Sequence, residues 1–475
     1  MKQYFIDKLD MIKEWLKKEK WFLILLSVMT VSLFVSMFTE YGLIAVFVVM
    51  IAGAILFNFE KGLCIFLFSY AFEAVFYIVK DEKNFFVFTI FYSILFSIYF
   101  FKYVIEIIKK KSKINLRTLI PLVLFVVYIL IPINNIKFDD LIKYLVAFGF
   151  IYLILEKKDN ILFKNLIIIA CFALTLSIVF SFFTQFTNRM QSIMGLFYNN
   201  GIIKKQGLFT NPNWLAVYTS LIIAWVLYNF VFVDYLWGLF LLVLIPYSYS
   251  TLSRNFMLCL IISLLFMIVS ICIKRSKVYV IRLFVSFIII AGVMLSQFTV
   301  TKVYWSRLKS TYNEISSIFI KQEKKQEIEK KEEYEDSKDY SSEEYYWIDG
   351  TPIDPGRIGI WKRYIKDFKS SPKNIILGAG ISAEILGIFP HNSFINILWQ
   401  FGITGFILLI LVFWLIGREL IKGKNLLSLL ILGLVCFISL FESNVFNYVA
   451  IMMIILLIAS TENGGIKKEK LNEEK

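Results

Sequence analysis

The chain has 475 residues, is 58% hydrophobic and 17% aromatic, and has a mean hydropathy of +0.70 and a formal net charge of +14. Soluble domains run at about 45–50% apolar, so this composition excludes a water-soluble globular protein and a disordered one. The positive charge does not point to nucleic acid, because the lysines cluster in short loops between apolar runs, as in a positive-inside membrane protein.

Residues 1–20 form a basic cytoplasmic segment in which Phe5, Leu9, Ile12 and Leu16 share one face of a helix, with the lysines turned to anionic headgroups. The first apolar run, 21–38, is too long for a signal-peptide core and is expected to stay as a signal anchor. Further runs long enough to cross a bilayer follow at 41–57, 62–79, 85–107, 118–133, 139–155, 161–185, 212–229, 231–249, 254–272 and 278–298. Residues 21–298 thus read as a membrane domain of about eleven spans. Residues 299–390 are an extracytoplasmic loop, 391–460 hold the last three spans (391–416, 425–441 and 446–460), and 461–475 form a cytoplasmic tail. The fold class is an all-α polytopic membrane protein with about 12–14 transmembrane helices, N-terminus in and C-terminus in. Glu73, Asp234 and Arg282 are the candidate charges within spans.

Cys64, Cys171, Cys259, Cys272 and Cys436 all lie in apolar runs, and none stands in a metal-ligand or Cys-x-x-Cys spacing. Neither a zinc site, a disulfide framework nor a cofactor is expected. The charge-dense 321–344 insert reads as solvated chain with little functional weight.

Chemistry-capable residues gather in three motifs that the span alternation puts on the outer side. In Gly207-Leu-Phe-Thr-Asn-Pro-Asn-Trp214, Asn211 is placed to cap a helix with Pro212 in its first turn, and Asn213 follows. In Ser250-Thr-Leu-Ser-Arg-Asn255, Ser253 is a cap candidate and Arg254 opens a span. The third motif begins with a short helix after Asp354 that carries Arg357. Ile358, Trp361, Ile365 and Phe368 make its apolar stripe, and it is expected to lie flat on the outer leaflet. Gly378 and Gly380 then make a tight turn, and Pro390-His391-Asn392 leads into the next span.

His391 is the only histidine in the chain. Histidine exchanges protons near neutral pH, and positive neighbours bias it to the neutral, proton-accepting form. Outward helix N-termini are anion sites, and arginines such as Arg254 and Arg357 add bidentate geometry for phosphate oxygens. A diphosphate pocket with a base beside it is the expectation. Each residue also has a plainer role: His391 as a cap or headgroup ligand, the arginines as interfacial charges, the Asn-Pro-Asn run as a helix start, and the glycines as turn residues.

The order of these motifs, over 207–405, resembles the bacterial O-antigen ligase and polysaccharide polymerase superfamily. The resembling stretches are GLFTNPNWLA (207–216), STLSRN (250–255) and the run from Gly356 to Gly405, with an arginine, a tryptophan four residues on, a Gly-x-Gly and a His-Asn at a helix start. The resemblance implies a GT-C-like, metal-independent, inverting glycosyltransferase of the bacterial cytoplasmic membrane, working on its outer face. The donor would be an undecaprenyl-diphosphate-linked oligosaccharide and the acceptor a growing polysaccharide. His391 would be the general base, Arg254 and Arg357 would grip the diphosphate, and Asn211, Asn213, Ser253, Trp361, Gly378, Gly380 and Asn392 would support them. Flippase and chain-length-regulator proteins are compatible partners besides the lipid bilayer, and no nucleic acid is involved. The charged insert and the high span count depart from the family pattern. A ligase that moves a finished glycan onto lipid A core or protein shares the same donor and residues. A lipid-linked-glycan flippase or other transporter is the alternative of another class, and it should carry polar or ionisable groups at mid-span and show internal repeats or broken helices.

Overall fold

The structure is a computed structural model. It describes residues 10, 13–80, 83–110, 119–120, 123–124, 126–127, 138–157, 163–184, 187–193, 198–199, 202–203, 207–209, 211–306, 309, 361, 364–380, 390, 392–422 and 426–441. The spans expected at 118–133 and 446–460, the 321–344 insert, Arg357 and His391 lie wholly or largely outside them.

The described chain is mostly helical. The first half comprises α1 (Lys20–Ser36), α2 (Tyr41–Leu56), α3 (Phe59–Tyr70), α4 (Phe88–Lys110), α5 (Phe138–Lys157), α6 (Phe163–Ser181) and the short α7 (Asn188–Ile193). The second half comprises α8 (Pro212–Phe232), α9 (Gly238–Tyr249), α10 (Arg254–Lys274), α11 (Lys277–Ser296), the short α12 (Pro372–Leu377), α13 (Ser393–Lys422) and α14 (Leu426–Phe441). Among the described residues, five stretches, within α4, α6, α8, α10 and α11, are long and apolar enough to cross a membrane, and shorter apolar helices accompany them. The outer faces agree with a membrane environment: on α11, Ile281, Phe284, Ile288 and Leu295 are all exposed. Water would penalise so continuous an apolar surface, whereas lipid does not.

Two expectations are corrected. The all-α class gains two antiparallel hairpins, β1 (Tyr77–Lys80) with β2 (Lys83–Phe86), and β3 (Tyr198–Asn199) with β4 (Ile202–Ile203). The span expected at 62–79 is also not one helix. α3 stops at Tyr70, a 3-10 turn occupies Glu73–Phe76, and the chain then enters β1. The reason is a tertiary contact: the Ala74 N–H donates to the Leu208 carbonyl at 2.8 Å, so a loop distant in sequence takes over its backbone pairing.

α8 is the central helix. It is apolar all round and packs against α6, α9, α10, α11 and α14, which buries it on nearly every side. A second focus is aromatic: Phe66, Tyr92 and Phe150 meet between α3, α4 and α5, with the Tyr92 and Phe150 rings stacked at 4.7 Å. Hydroxyls inside this apolar matrix bond back along their own helices, as Ser36 does to the Ser32 carbonyl and Ser263 to the Cys259 carbonyl.

Side-chain contacts sort the helix ends into two sets. One end is lysine-rich. Lys61 pairs with Glu19 at 2.7 Å, and Lys157 pairs with Glu106. Lys102 donates to the carbonyls of Ala54, Ile55 and Phe57 at the end of α2, where helix carbonyls lack partners. Lys274 lies over the Phe232 ring at 3.9 Å. Of the three charges expected inside spans, Glu73 is buried in the 3-10 turn after α3, and the other two make their bonds at a helix end. Asp234 caps the 3-10 turn between α8 and α9, and Arg282 reaches the Phe230 and Val231 carbonyls at the end of α8.

Candidate functional site

The opposite end of the bundle collects the first two motifs. α8, α9 and α10 run up, down and up, and α8 packs along α10, so Pro212 and Arg254 begin neighbouring helices at the same end. The loop before α8 is fastened from three directions. The Gly207 N–H donates to the Tyr247 hydroxyl at 3.2 Å, the Leu208 N–H to the Ser177 hydroxyl at 3.2 Å, and the Leu208 carbonyl accepts from Ala74. Asn211 is the N-cap, its side chain accepting the Asn213 N–H at 2.8 Å, with Pro212 in the first turn as expected.

Arg254 is the first residue of α10 and is half-buried. Ser253 holds the cap position by its backbone, but its side chain makes no capping bond, which corrects that expectation. The hydroxyl that organises the turn belongs to Thr251. It donates to the Ser248 carbonyl at 2.7 Å and accepts the Ser253 N–H at 3.2 Å.

Arg189, in α7, was not foreseen from sequence. Its guanidinium bonds the Ser36 carbonyl and donates to the carbonyls of Val75 and Tyr77 at 3.0 and 2.7 Å. It thereby joins the end of α1 to the 3-10 turn and to β1. Burial pushes this guanidinium below its ordinary range, and the charge of Glu40 pulls it back up. Glu73, next to these carbonyls, is fully buried at the same end.

The third motif is built around a break in α13. Gly402 has φ +63° and ψ −174°, which divides the helix. A break of this kind takes backbone carbonyls out of the helical ladder. The Gly378-Ala379-Gly380 turn pairs two of them: the Ala379 N–H donates to the Trp399 carbonyl at 2.8 Å and the Gly380 N–H to the Gln400 carbonyl at 3.0 Å. Gly378 and Gly380 have φ of +81° and +105°. At Gly378 a Cβ would meet the Gln400 carbonyl, and at Gly402 the Ile376 carbonyl, so the backbones approach too closely for any side chain there.

Residues 364–368 pack onto α13, burying Tyr364 and Phe368 against Trp399, while Ile365 of the expected apolar stripe points outward. The Tyr364 and Trp399 rings meet edge to face at 4.7 Å, and the Trp399 indole donates to Asp367 at 2.7 Å. Ser371 caps α12 by accepting the Asn374 N–H at 3.1 Å, a Ser-Pro start that is legible in the sequence.

Trp361 donates its indole N–H to the Pro390 carbonyl at 2.6 Å. Asn392 is buried and accepts the Ile395 N–H at 3.1 Å, which makes it the cap of α13. The capping role considered for His391 is therefore filled by its neighbour. Asn392, Asn396 and Gln400 follow one another every four residues on α13 and are all buried. Their spacing, Asn-x3-Asn-x3-Gln inside an apolar run, was the available signal for a polar face that the sequence reading passed over. α14 links the two halves of the site, since it packs against α8, α10 and α13.

No protein-family model, curated protein or solved structure matches this chain.

Proposed function

We propose that the chain is a membrane glycosyltransferase. It joins undecaprenyl-diphosphate-linked repeat units into a cell-surface polysaccharide on the outer face of the cytoplasmic membrane. The observation that carries this reading is the parallel pairing of α8 and α10. Their N-termini, with Arg254 between solvent and core, lie at the end of the bundle away from the lysine cluster. The lysine-rich end is the cytoplasmic one by the positive-inside tendency, which makes the other end extracytoplasmic.

In this reading Arg254 and Arg357 hold the diphosphate, aided by helix dipoles that favour an anion. His391 takes the proton from the acceptor hydroxyl as that oxygen attacks the anomeric carbon. The carbon–oxygen bond to the diphosphate breaks, and undecaprenyl diphosphate leaves with the electron pair on its oxygen, with inversion at the sugar.

The test uses purified protein in nanodiscs with EDTA and an undecaprenyl-diphosphate repeat unit. Wild type is compared with His391→Ala and Arg254→Ala by gel ladder and by release of undecaprenyl diphosphate. A ladder from wild type alone is the expected result. Donor turnover that requires an added separate acceptor reassigns the protein as a ligase. Full activity in His391→Ala overturns the role of the base, and loss of the ladder with EDTA overturns metal independence.

A further inference from the structure

The turn that launches Arg254 is held from outside by the helical stretch at 298–306, which continues α11 beyond a bend at Gln297. The Gln297 side chain accepts from the Ser250 hydroxyl at 2.9 Å and donates to the Pro246 carbonyl at 2.9 Å. The Thr301 and Tyr249 hydroxyls are 3.0 Å apart. Tyr304 is buried and lies against the Tyr249 ring at 4.9 Å. Its hydroxyl is 3.1 Å from the Tyr249 carbonyl and 3.3 Å from the Ser253 carbonyl. Those two carbonyls bracket the turn, and the second belongs to the peptide bond that enters Arg254.

The turn has reason to need such a hold. Leu252 has φ +54°, a left-handed conformation that a branched side chain adopts only when its surroundings impose it. The Ser253 side chain contributes no capping bond to α10. A shift of the Ser253 peptide would move Arg254 directly, because no rotatable residue stands between them.

We propose that Tyr304 is a positioning residue for Arg254: its hydroxyl clamps the 250–253 turn and so presets the arginine for a lipid-linked diphosphate. This rests on the diphosphate-binding role given to Arg254 above. Ordering the arginine before ligand arrives moves the entropic cost of binding into folding.

The probe is farnesyl diphosphate, a short polyprenyl diphosphate, binding to the full chain in nanodiscs, with farnesol as the uncharged control. Four proteins are compared: wild type, Tyr304→Phe, Arg254→Ala and the double variant. Tyr304→Phe keeps the ring stacked and removes only the hydroxyl. We expect it to weaken farnesyl diphosphate binding roughly fivefold, as for one lost hydrogen bond, with farnesol binding unchanged. The melting temperature should stay within about 2 °C of wild type. In the Arg254→Ala background the same change should have no further effect. Thr301→Val, which removes the partner of the Tyr249 hydroxyl, should weaken binding in the same direction. In turnover, Tyr304→Phe should raise KM for the lipid-linked donor and leave kcat within about twofold. The inference is overturned if Tyr304→Phe binds as wild type while Arg254→Ala does not, or if its effect persists without Arg254. If Arg254→Ala itself binds farnesyl diphosphate as tightly as wild type, the role of the arginine fails first and the inference falls with it.

Discussion

The Trp361 indole N–H and the Pro390 carbonyl are 2.6 Å apart, a bond that spans 29 residues of sequence and ends on the residue immediately before His391. Asn392, immediately after it, is fixed as the cap of α13. The backbone on either side of the only histidine is therefore anchored by named side chains; under the proposed function, that anchoring would let His391 meet a substrate without reorganising.

Trp361→Phe tests that anchoring. The aromatic bulk remains and the donor is lost. Under the proposed function, kcat should fall about tenfold while KM for the donor changes little, because the interaction counts most where proton transfer is demanding. Steady-state release of undecaprenyl diphosphate measures both. An unchanged kcat would reduce the bond to a structural one.

The broken helix makes a prediction about stability that does not depend on any function. Gly378→Ala and Gly402→Ala each place a Cβ against a backbone carbonyl at a residue with positive φ. Each should cost about 3 kcal/mol or more, since backbone has no rotamer with which to escape. Gly433 is the control: it lies within α14, where a Cβ meets nothing within 4 Å. Gly433→Ala should be neutral or slightly stabilising, by up to about 1 kcal/mol from helix propensity. Thermal unfolding in one detergent ranks the three, and equal melting temperatures would contradict the backbone contact.

Arg189 carries a third expectation. Its guanidinium serves three carbonyls on two separate segments, the end of α1 and the stretch that runs from the 3-10 turn into β1. Arg189→Ala leaves those acceptors without this partner and should destabilise the protein by about 3 kcal/mol. Arg189→Lys should recover only part of that, because a single ammonium cannot reproduce the planar fork. Denaturation of the two variants side by side checks the order. A lysine variant as stable as wild type would show that charge alone suffices.

Much of the architecture was legible in the residues. The helices around 212–232, 254–274 and 277–296 stand close to where the apolar runs put them, because a bilayer imposes length and polarity on each span separately. The Asn211-Pro212 start was legible for the same kind of reason, since a cap is a bond between residues two apart. Ser253 shows where such reasoning ends. The sequence offers a good cap residue, yet Thr251 and Tyr304 take the turn's polar groups. Tyr304 lies some fifty residues further on, and no local pattern announces it.

By itself, then, the sequence determined that this is a helical membrane protein, and it determined which segments carry histidine, arginine and turn-forming glycine. Those are properties of short windows, governed by transfer into lipid and by local hydrogen bonding. Only the tertiary structure decided that α3 ends early on a loop from the first motif, and that Gly402 breaks α13 so that Gly378-Ala-Gly380 can pair its carbonyls. It also decided that Arg189 ties the end of α1 to the start of β1 and that Tyr304 holds the turn before Arg254. Each of these satisfies a backbone polar group inside an apolar matrix. The partner comes from wherever the fold brings one near, not from the neighbouring sequence.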